Sequence, residues 1–387
     1  MPINDSWHKS DTRPTDHRCT THNKVPTKTH GKGKRWEVRE GSIREFYDKL
    51  SEARARLKKI RGESDATPTL ASDITLNEFA SQWYAHYRVN FSSRERLEID
   101  LRLHIIPLLG DYTLRELEAK PAILELWLTT IEQCSAPETA RNRYILLKQI
   151  FQSARSHKLI AHNPLDNIKA PKVPHKLIIP KTEEQVRNLI AALPERYRLM
   201  ANLGAEAGMR QGEIFGICGE DITPTHVNVV RLVKPSRTHG GNVFALPKGD
   251  KTRQVPINES LYAKFQQHQK MFDATPITLP WGNPNGKPTT HDLLFVSPTG
   301  LSWRSANFND RIWKPALREV NIKPDRDSGM HALRHFFACV ALFYGVDIKT
   351  LSVFLGHSSP IVTLKYYAHL MPGGSDAMRA AIGHVFK

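Results

Sequence analysis

Long apolar runs are missing from this sequence. No stretch of about 18 uncharged apolar residues occurs, and no short apolar segment follows Met1, so neither a membrane span nor export is indicated. Cysteine is scarce: four residues in 387. Cys19, Cys134, Cys218 and Cys339 stand without C-x-x-C spacing, which argues against a disulfide framework or a zinc ribbon and leaves them as ordinary reduced thiols. A Walker A glycine loop is absent, as is any carboxylate cluster of the kind that holds Mg²⁺. What is abundant is positive charge: 55 Lys and Arg against 39 Asp and Glu, for a formal charge of +16 and a pI near 9.7. A polyanionic partner is expected, nucleic acid rather than a membrane, in the cytoplasm. The 40% hydrophobic content suffices for packed cores, and the length calls for two or three domains.

Residues 1 to about 36 are rich in His, Thr, Lys and Pro with almost no apolar period, and are expected to be poorly ordered on their own. HGKGKRWEVRE (30–40) predicts a short strand behind a basic glycine turn, and FYDKLSEARARLKKI (46–60) an amphipathic helix. This basic unit, residues 1–70, offers Lys32, Lys34 and Arg35 to DNA. From Ala71 the pattern is helical: Thr75 can cap a helix carrying Phe79, Trp83 and Tyr87. No strand interrupts residues 71–170, an all-helical domain on which Arg94, Arg96, Arg141 and Arg143 are candidate DNA-facing cations. The proline-rich and lysine-rich residues 171–182 form a linker. Residues 183–387 mix helices with extended alternation in HVNVVRLV and a hairpin in NVFALPKGDKTRQVPI turning at Gly249 and Asp250. PITLPWGNPNGKPTT (276–290) is a proline- and glycine-rich insert. The expected fold is multidomain and mainly α with a small β component.

Three clusters in this last block place a phosphate-capable cation at a loop or helix start. In AGMRQGEIFGI (207–217), Gly208 can end one helix, Arg210 sits in the turn before the next, and Glu213 follows within one turn. In SGMHALRHFFACVALFYG (328–345), Ser328 is a plausible N-cap of a helix that should be buried almost all round, with His331, Arg334 and His335 in its first turn. His331 and Arg334 share a face. A metal reading of the H-x-x-x-H pair fails because no glutamate follows the first histidine and Arg334 brings positive charge beside it, so no metal is assigned. In LGHSSPIVTLKYYAHL (355–370), Gly356 can close one helix, Ser359 and Pro360 can open the next, and His357 lies between. Tyr366 and Tyr367 point about 100° apart, so at most one of them faces a given site.

Taken in order, Arg210, Lys248, His331 with Arg334, His357 and a terminal tyrosine resemble the tyrosine recombinase family of phage and mobile-element integrases. The likeness spans roughly residues 72–372 and rests on G-M-R-x-G-E, H-x-L-R-H and L-G-H-S-S followed by Y-A-H-L. It implies an arm-binding-like unit, a SAM-like helical core-binding domain and an α+β catalytic domain, the last two clamping DNA. It implies that Arg210 and Arg334 hold the scissile phosphate, that His357 donates to it, and that Lys248 protonates the leaving oxygen, with Lys251 as its rival. It also implies that His331 shuttles the tyrosine proton while Glu213 supports Arg210. The nucleophile commonly stands two before the histidine of Y-A-H-L, here His369, which selects Tyr367. The implied activity is site-specific recombination through a 3′-phosphotyrosyl intermediate, without a cofactor. Expected partners are double-stranded DNA with core-type and arm-type sites, three further copies of the chain in a homotetramer, and accessory DNA-bending and directionality proteins. A type IB topoisomerase-like relaxation enzyme and a non-catalytic DNA-binding protein are the alternatives.

Overall fold

A computed structural model gives the fold and describes residues 3–9, 17–19, 22, 24–60, 74–174, 178–237, 239–249, 251–368, 379 and 382–383. The chain divides into two compact units, Met1–His175 and Lys176–Lys387. Among the described residues no helix is long and apolar enough to cross a membrane.

The first unit opens with an antiparallel sheet of β1 (Ile3–Asp5), β2 (Trp36–Glu40) and β3 (Ile43–Tyr47), β2 in the middle, followed by α1 (Leu50–Ile60). The described residues among the first 36 are thus tied down, against expectation. Ile3 pairs with Val38 and Asp5 with Trp36, while Lys9 N donates to Val25 O and Thr27 N to Trp7 O. Phe46 and Tyr47 belong to β3, so α1 starts at Leu50 and not at Phe46. Its core is small: Trp36, Val38, Leu50, Ala53 and Leu57.

The helical block contains α2 (Leu76–His86), α3 (Phe91–Asp100), α4 (Ile106–Leu109), α5 (Leu114–Ala119), α6 (Pro121–Cys134) and α7 (Pro137–Ser156), with one π-helical stretch, Leu101–Ile105, between α3 and α4. Thr75 caps α2 in a full capping box with Glu78. The apolar faces meet around Phe79, Ile105, Trp127, Tyr144 and Phe151. Arg54 of α1 bonds Glu116 at 2.5 Å and joins the sheet to this block.

Two candidate DNA-facing arginines are structural instead. Arg143 is 7% exposed and donates to Asp100 Oδ1 at 3.0 Å and to Ser135. Arg35 is 9% exposed and bonded to Asp5. Each faces a carboxylate across the fold, a pairing 43 or 30 residues apart that no local charge pattern shows. Arg94 donates to Tyr87 O and covers the Tyr84 ring, and Arg141 donates to Pro171 O. Arg96, near Asp100, and Lys32 and Lys34 lie on the surface.

The second unit runs α8 (Glu183–Ala192), α9 (Glu195–Glu206), α10 (Gln211–Phe215), β4 (His226–Val229), β5 (Leu232–Pro235), β6 (Asn242–Ala245), β7 (Arg253–Pro256) and α11 (Glu259–Met271). It continues with β8 (Thr275–Pro280), β9 (Pro288–Leu293), α12 (Ser305–Phe308), α13 (Lys314–Glu319), α14 (His331–Phe343), α15 (Ile348–Leu355) and α16 (Pro360–Tyr367). The expected hairpin between β6 and β7 does not form: β6 pairs with β5, and β7 with β4. Val227, Val229 and Val255 share one buried face, which draws β7 to β4. Gly249 has a positive φ of 83°, and Asp250 lies outside the described residues. The proline-rich insert is itself the β8–β9 hairpin, whose prolines sit where a two-stranded ribbon leaves N–H positions unpaired. The core centres on Met200, Leu203, Phe215, Phe244, Phe295, Phe308 and Trp313.

Two local expectations about α14 fail. Ser328 is not its N-cap: its hydroxyl donates to Lys323 O and bonds Asp325, and Met330 precedes the helix without a side-chain cap. The helix is also not buried all round, since Val340, Phe343 and Tyr344 are exposed along a groove shared with α8, α9 and α11. Among the described residues nothing covers this face.

Candidate active site

Arg210 is placed by a helix-to-helix turn. Gly208 closes α9 in the left-handed region at φ 60°, and a Cβ there would lie 2.5 Å from the Phe337 ring, so only glycine fits. Arg210 then takes the N-cap position of α10, where its backbone N–H donates to Glu213 Oε2 and its Nη1 to Glu213 Oε1, both at 2.9 Å. Glu213 is 1% exposed and is shared. Arg253, the first residue of β7, donates Nη1 and Nη2 to the same carboxylate at 2.9 and 2.7 Å. Burial alone would raise the Glu213 carboxyl, but the two guanidinium groups outweigh it and hold it at about 2.

Arg334, one turn into α14, is 1% exposed. It donates Nη1 to Gly208 O at 2.7 Å and Nη2 to Leu355 O. Burial first, and the nearby Arg210 second, bring its pKa down to about 9.

Three arginines from three elements therefore converge on one helix end. Arg253 Nε donates to Phe354 O at 2.7 Å, Arg334 to Leu355 O, and Arg210 Nη2 to Gly356 O at 3.1 Å. These carbonyls close α15, where the backbone leaves acceptors unpaired and the helix dipole is negative. Gly356 caps the helix at φ 60° and sends the chain into His357. Ser359 accepts from Ile361 N and Pro360 starts α16, as the sequence indicates.

His357 Nδ1 bonds Thr363 Oγ1 at 2.8 Å. Burial, then Arg334 and Arg210, depress its pKa to about 3. His331, the first residue of α14, is brought to about 4 by desolvation, then by His335, Arg334 and Arg210. Both imidazoles are therefore neutral near pH 7.

Of the two tyrosines, Tyr367 is 2% exposed and Tyr366 42%. The Tyr367 hydroxyl lies 2.6 Å from His335 Nδ1. Desolvation raises its pKa while the Arg334 charge works in the opposite sense. His335, itself held at about 4 by burial and then Arg334, is thus the histidine on the tyrosine, in the position the sequence reading gave to His331. The two rings touch edge to face, 4.7 Å between centroids. Lys248 and Lys251 are both exposed on the segment joining β6 to β7, and His369 lies outside the described residues.

The structure thus gathers Arg210, Glu213, His331, Arg334, His357 and Tyr367 in one cluster and adds Arg253 and His335. Arg253 left no trace in the sequence, because its partner Glu213 is 40 residues away. His335 was visible in H-x-L-R-H, but its i+4 relation to His331 did not show which ring meets the hydroxyl.

Residues 181–372 match the phage integrase family model. The integrase of Mycobacterium phage D29 is 24% identical over 334 residues, 83% of this chain and 84% of its own length. Tyrosine recombinase XerD of Proteus mirabilis is 29% identical over 233 residues, 58% of this chain and 65% of its own. Among solved structures, the Tn1549 transposon integrase in complex with a circular intermediate DNA covers 80% of this chain and 99% of that one, with a TM-score of 0.64 at 19% identity. A lambda integrase dimer bound to a COC′ core site covers 86% and 91%, with a TM-score of 0.57 at 14% identity. These two likenesses show the fold, and the family match spans every residue of the arginine–histidine–tyrosine cluster. The chain belongs to the phage integrase family of tyrosine recombinases.

Proposed function

We propose that this site-specific recombinase cuts and rejoins double-stranded DNA with Tyr367 as nucleophile. The observation that carries the assignment is the buried Tyr367 hydroxyl, 2.6 Å from a neutral histidine and beside Arg334, while Tyr366 faces solvent. Tyr367 Oη attacks the scissile phosphorus, a tyrosyl–phosphate bond forms at the 3′ end, and the bond to the 5′ oxygen breaks. The phenol proton passes to His335 Nδ1, with His331 next to it. The leaving oxygen takes a proton from Lys248 or from its rival Lys251. Arg210 and Arg334 neutralise the phosphate oxygens and His357 donates to one of them.

The chemistry explains the clustering. A phenol with a pKa near 10 costs about 4 kcal/mol to ionise at pH 7. Two arginines at the phosphate lower that cost, and each well-placed donor contributes about 3 kcal/mol at the transition state. The phosphodiester energy is kept in the phosphotyrosyl bond for rejoining. Residues 71–170 serve as the core-binding domain, and the β1–β3 unit as an arm-type DNA reader that uses Lys32 and Lys34. Four copies act together on two DNA sites in the cytoplasm, associated with the nucleoid, assisted by DNA-bending and directionality proteins. The names of its relatives favour recombination over topoisomerase-like relaxation.

A nicked suicide duplex carrying the attachment site tests this on a denaturing gel. Wild type and Tyr366→Phe are expected to form the covalent protein–DNA adduct and Tyr367→Phe to form none. An adduct from Tyr367→Phe moves the nucleophile elsewhere, and no adduct from wild type removes the cleavage reaction itself.

A further inference from the structure

The recombination site leaves the first thirty residues unexplained. Four chemically capable side chains meet there: His8 after β1, Cys19 and His22 in the loop beyond it, and His30 just before the basic turn. One donor atom from each lies within 4.8 Å of all the others. Cys19 Sγ is 3.5 Å from His8 Nε2 and 3.7 Å from His22 Nδ1. A tetrahedral zinc ion, with Zn–S of about 2.3 Å and Zn–N of about 2.0–2.1 Å, sets sulfur and nitrogen ligands roughly 3.6 Å apart. The rings of His8 and His22, and of His8 and His30, stand edge to face with centroids 5.0 Å apart, so they converge and do not stack.

Three further observations point to a ligand. His30 Nε2 is buried and has no hydrogen-bond partner among the described residues, which ring packing alone leaves unexplained. His8 Nδ1 is 2.9 Å from Asp5 Oδ2, which fixes the tautomer and aims the Nε2 lone pair at Cys19. That carboxylate–histidine pairing is the usual support behind a zinc ligand. The backbone N–H of His22 donates to Cys19 Sγ at 3.4 Å, a contact that favours a thiolate.

We propose that His8, Cys19, His22 and His30 bind one zinc ion that folds the N-terminal segment onto β2. The donor set, one thiolate and three imidazoles, is filled by protein, so the site is structural. It supplies what the short apolar core does not, since Val25 is the one buried aliphatic side chain among the described residues between β1 and β2. It also anchors the residue that begins the turn bearing Lys32 and Lys34. Cys19 is thereby a ligand, set apart from Cys134, Cys218 and Cys339.

The test uses the full-length chain, purified without an affinity metal and dialysed. Elemental analysis is expected to find about one zinc per chain in wild type and in Cys134→Ser, and almost none in Cys19→Ser or His30→Ala. Exchange into cobalt gives a readout that does not depend on the variants folding. Wild type is expected to show the visible bands of tetrahedral Co²⁺ and a near-ultraviolet sulfur-to-cobalt band. Chelator treatment of wild type is expected to speed proteolytic cleavage before residue 36 while leaving the second unit intact. Wild type that neither carries zinc nor binds added Zn²⁺ or Co²⁺ overturns the proposal, as does full zinc retention by Cys19→Ser.

Discussion

Glu213→Gln isolates the charge that holds the arginine cluster together. The buried carboxylate accepts from Arg210 and Arg253 and is held at about 2 against an ordinary 4.5. That interval corresponds to about 3 kcal/mol of native-state stability at neutral pH, because a group whose pKa is depressed on folding contributes fully above its unfolded value. Breaking a buried ion pair by removing one partner costs about 3–5 kcal/mol, the same size by a separate route. The sign with pH follows: the contribution is complete above about 4.5 and declines as pH falls towards 2. Urea unfolding of wild type and Glu213→Gln, followed on the transition of the second unit, is expected to differ by about 3 kcal/mol at pH 7 and by roughly half that at pH 3. A difference below about 1 kcal/mol at pH 7, or one that does not change with pH, refutes the argument that this single carboxylate balances the arginines.

Gly208→Ala is expected to lower the urea midpoint of the second unit by an amount worth at least about 2 kcal/mol, with the slope unchanged. The residue holds φ 60° and its new Cβ meets the Phe337 ring, so a smaller loss would show that the turn relaxes freely. Arg143→Met is expected to cost about 3 kcal/mol in the first unit, because the buried Asp100 loses its 3.0 Å partner and keeps only the half-exposed Arg96 at 3.6 Å, without changing the salt dependence of DNA binding. Lys32→Ala and Lys34→Ala are expected to do the reverse, each reducing the log–log salt slope by about 0.9 with stability kept. Affinity titrations from low to moderate salt separate the two classes.

What was legible in the sequence was local. Thr75, Gly356, Ser359 and Pro360 cap or close helices through contacts within a few residues, and each does so in the structure. The family motifs fall in the same category, since Arg210 with Glu213 and His331 with Arg334 are within one turn of each other. Illegible features depend on distant partners. Arg253 finds Glu213 across 40 residues, and Arg143 finds Asp100 across 43. β7 leaves the apparent hairpin for β4 because their valines share a buried face. Ser328 had the chemistry of a cap but was taken by Asp325 and Lys323. The histidines around Cys19 are 8 to 11 residues from their neighbours in sequence, with no repeat to mark them, except for the short Cys19–His22 step.

With Arg210 and Arg334 in their proposed roles, the arginine grip on α15 makes DNA occupancy and the placement of the last helix a single equilibrium. Phe354, Leu355 and Gly356 each draw a donor from a different guanidinium group. A phosphate oxygen that takes Arg210 Nη2 takes it from Gly356, and so loosens the hinge from which His357 and Tyr367 depend. By reciprocity, whatever secures α15 and α16 in this arrangement weakens the hold on phosphate by the same factor. In the proposed reaction the arginines assigned to the DNA phosphate thus also act as a latch on Tyr367, and substrate is the key that competes for it.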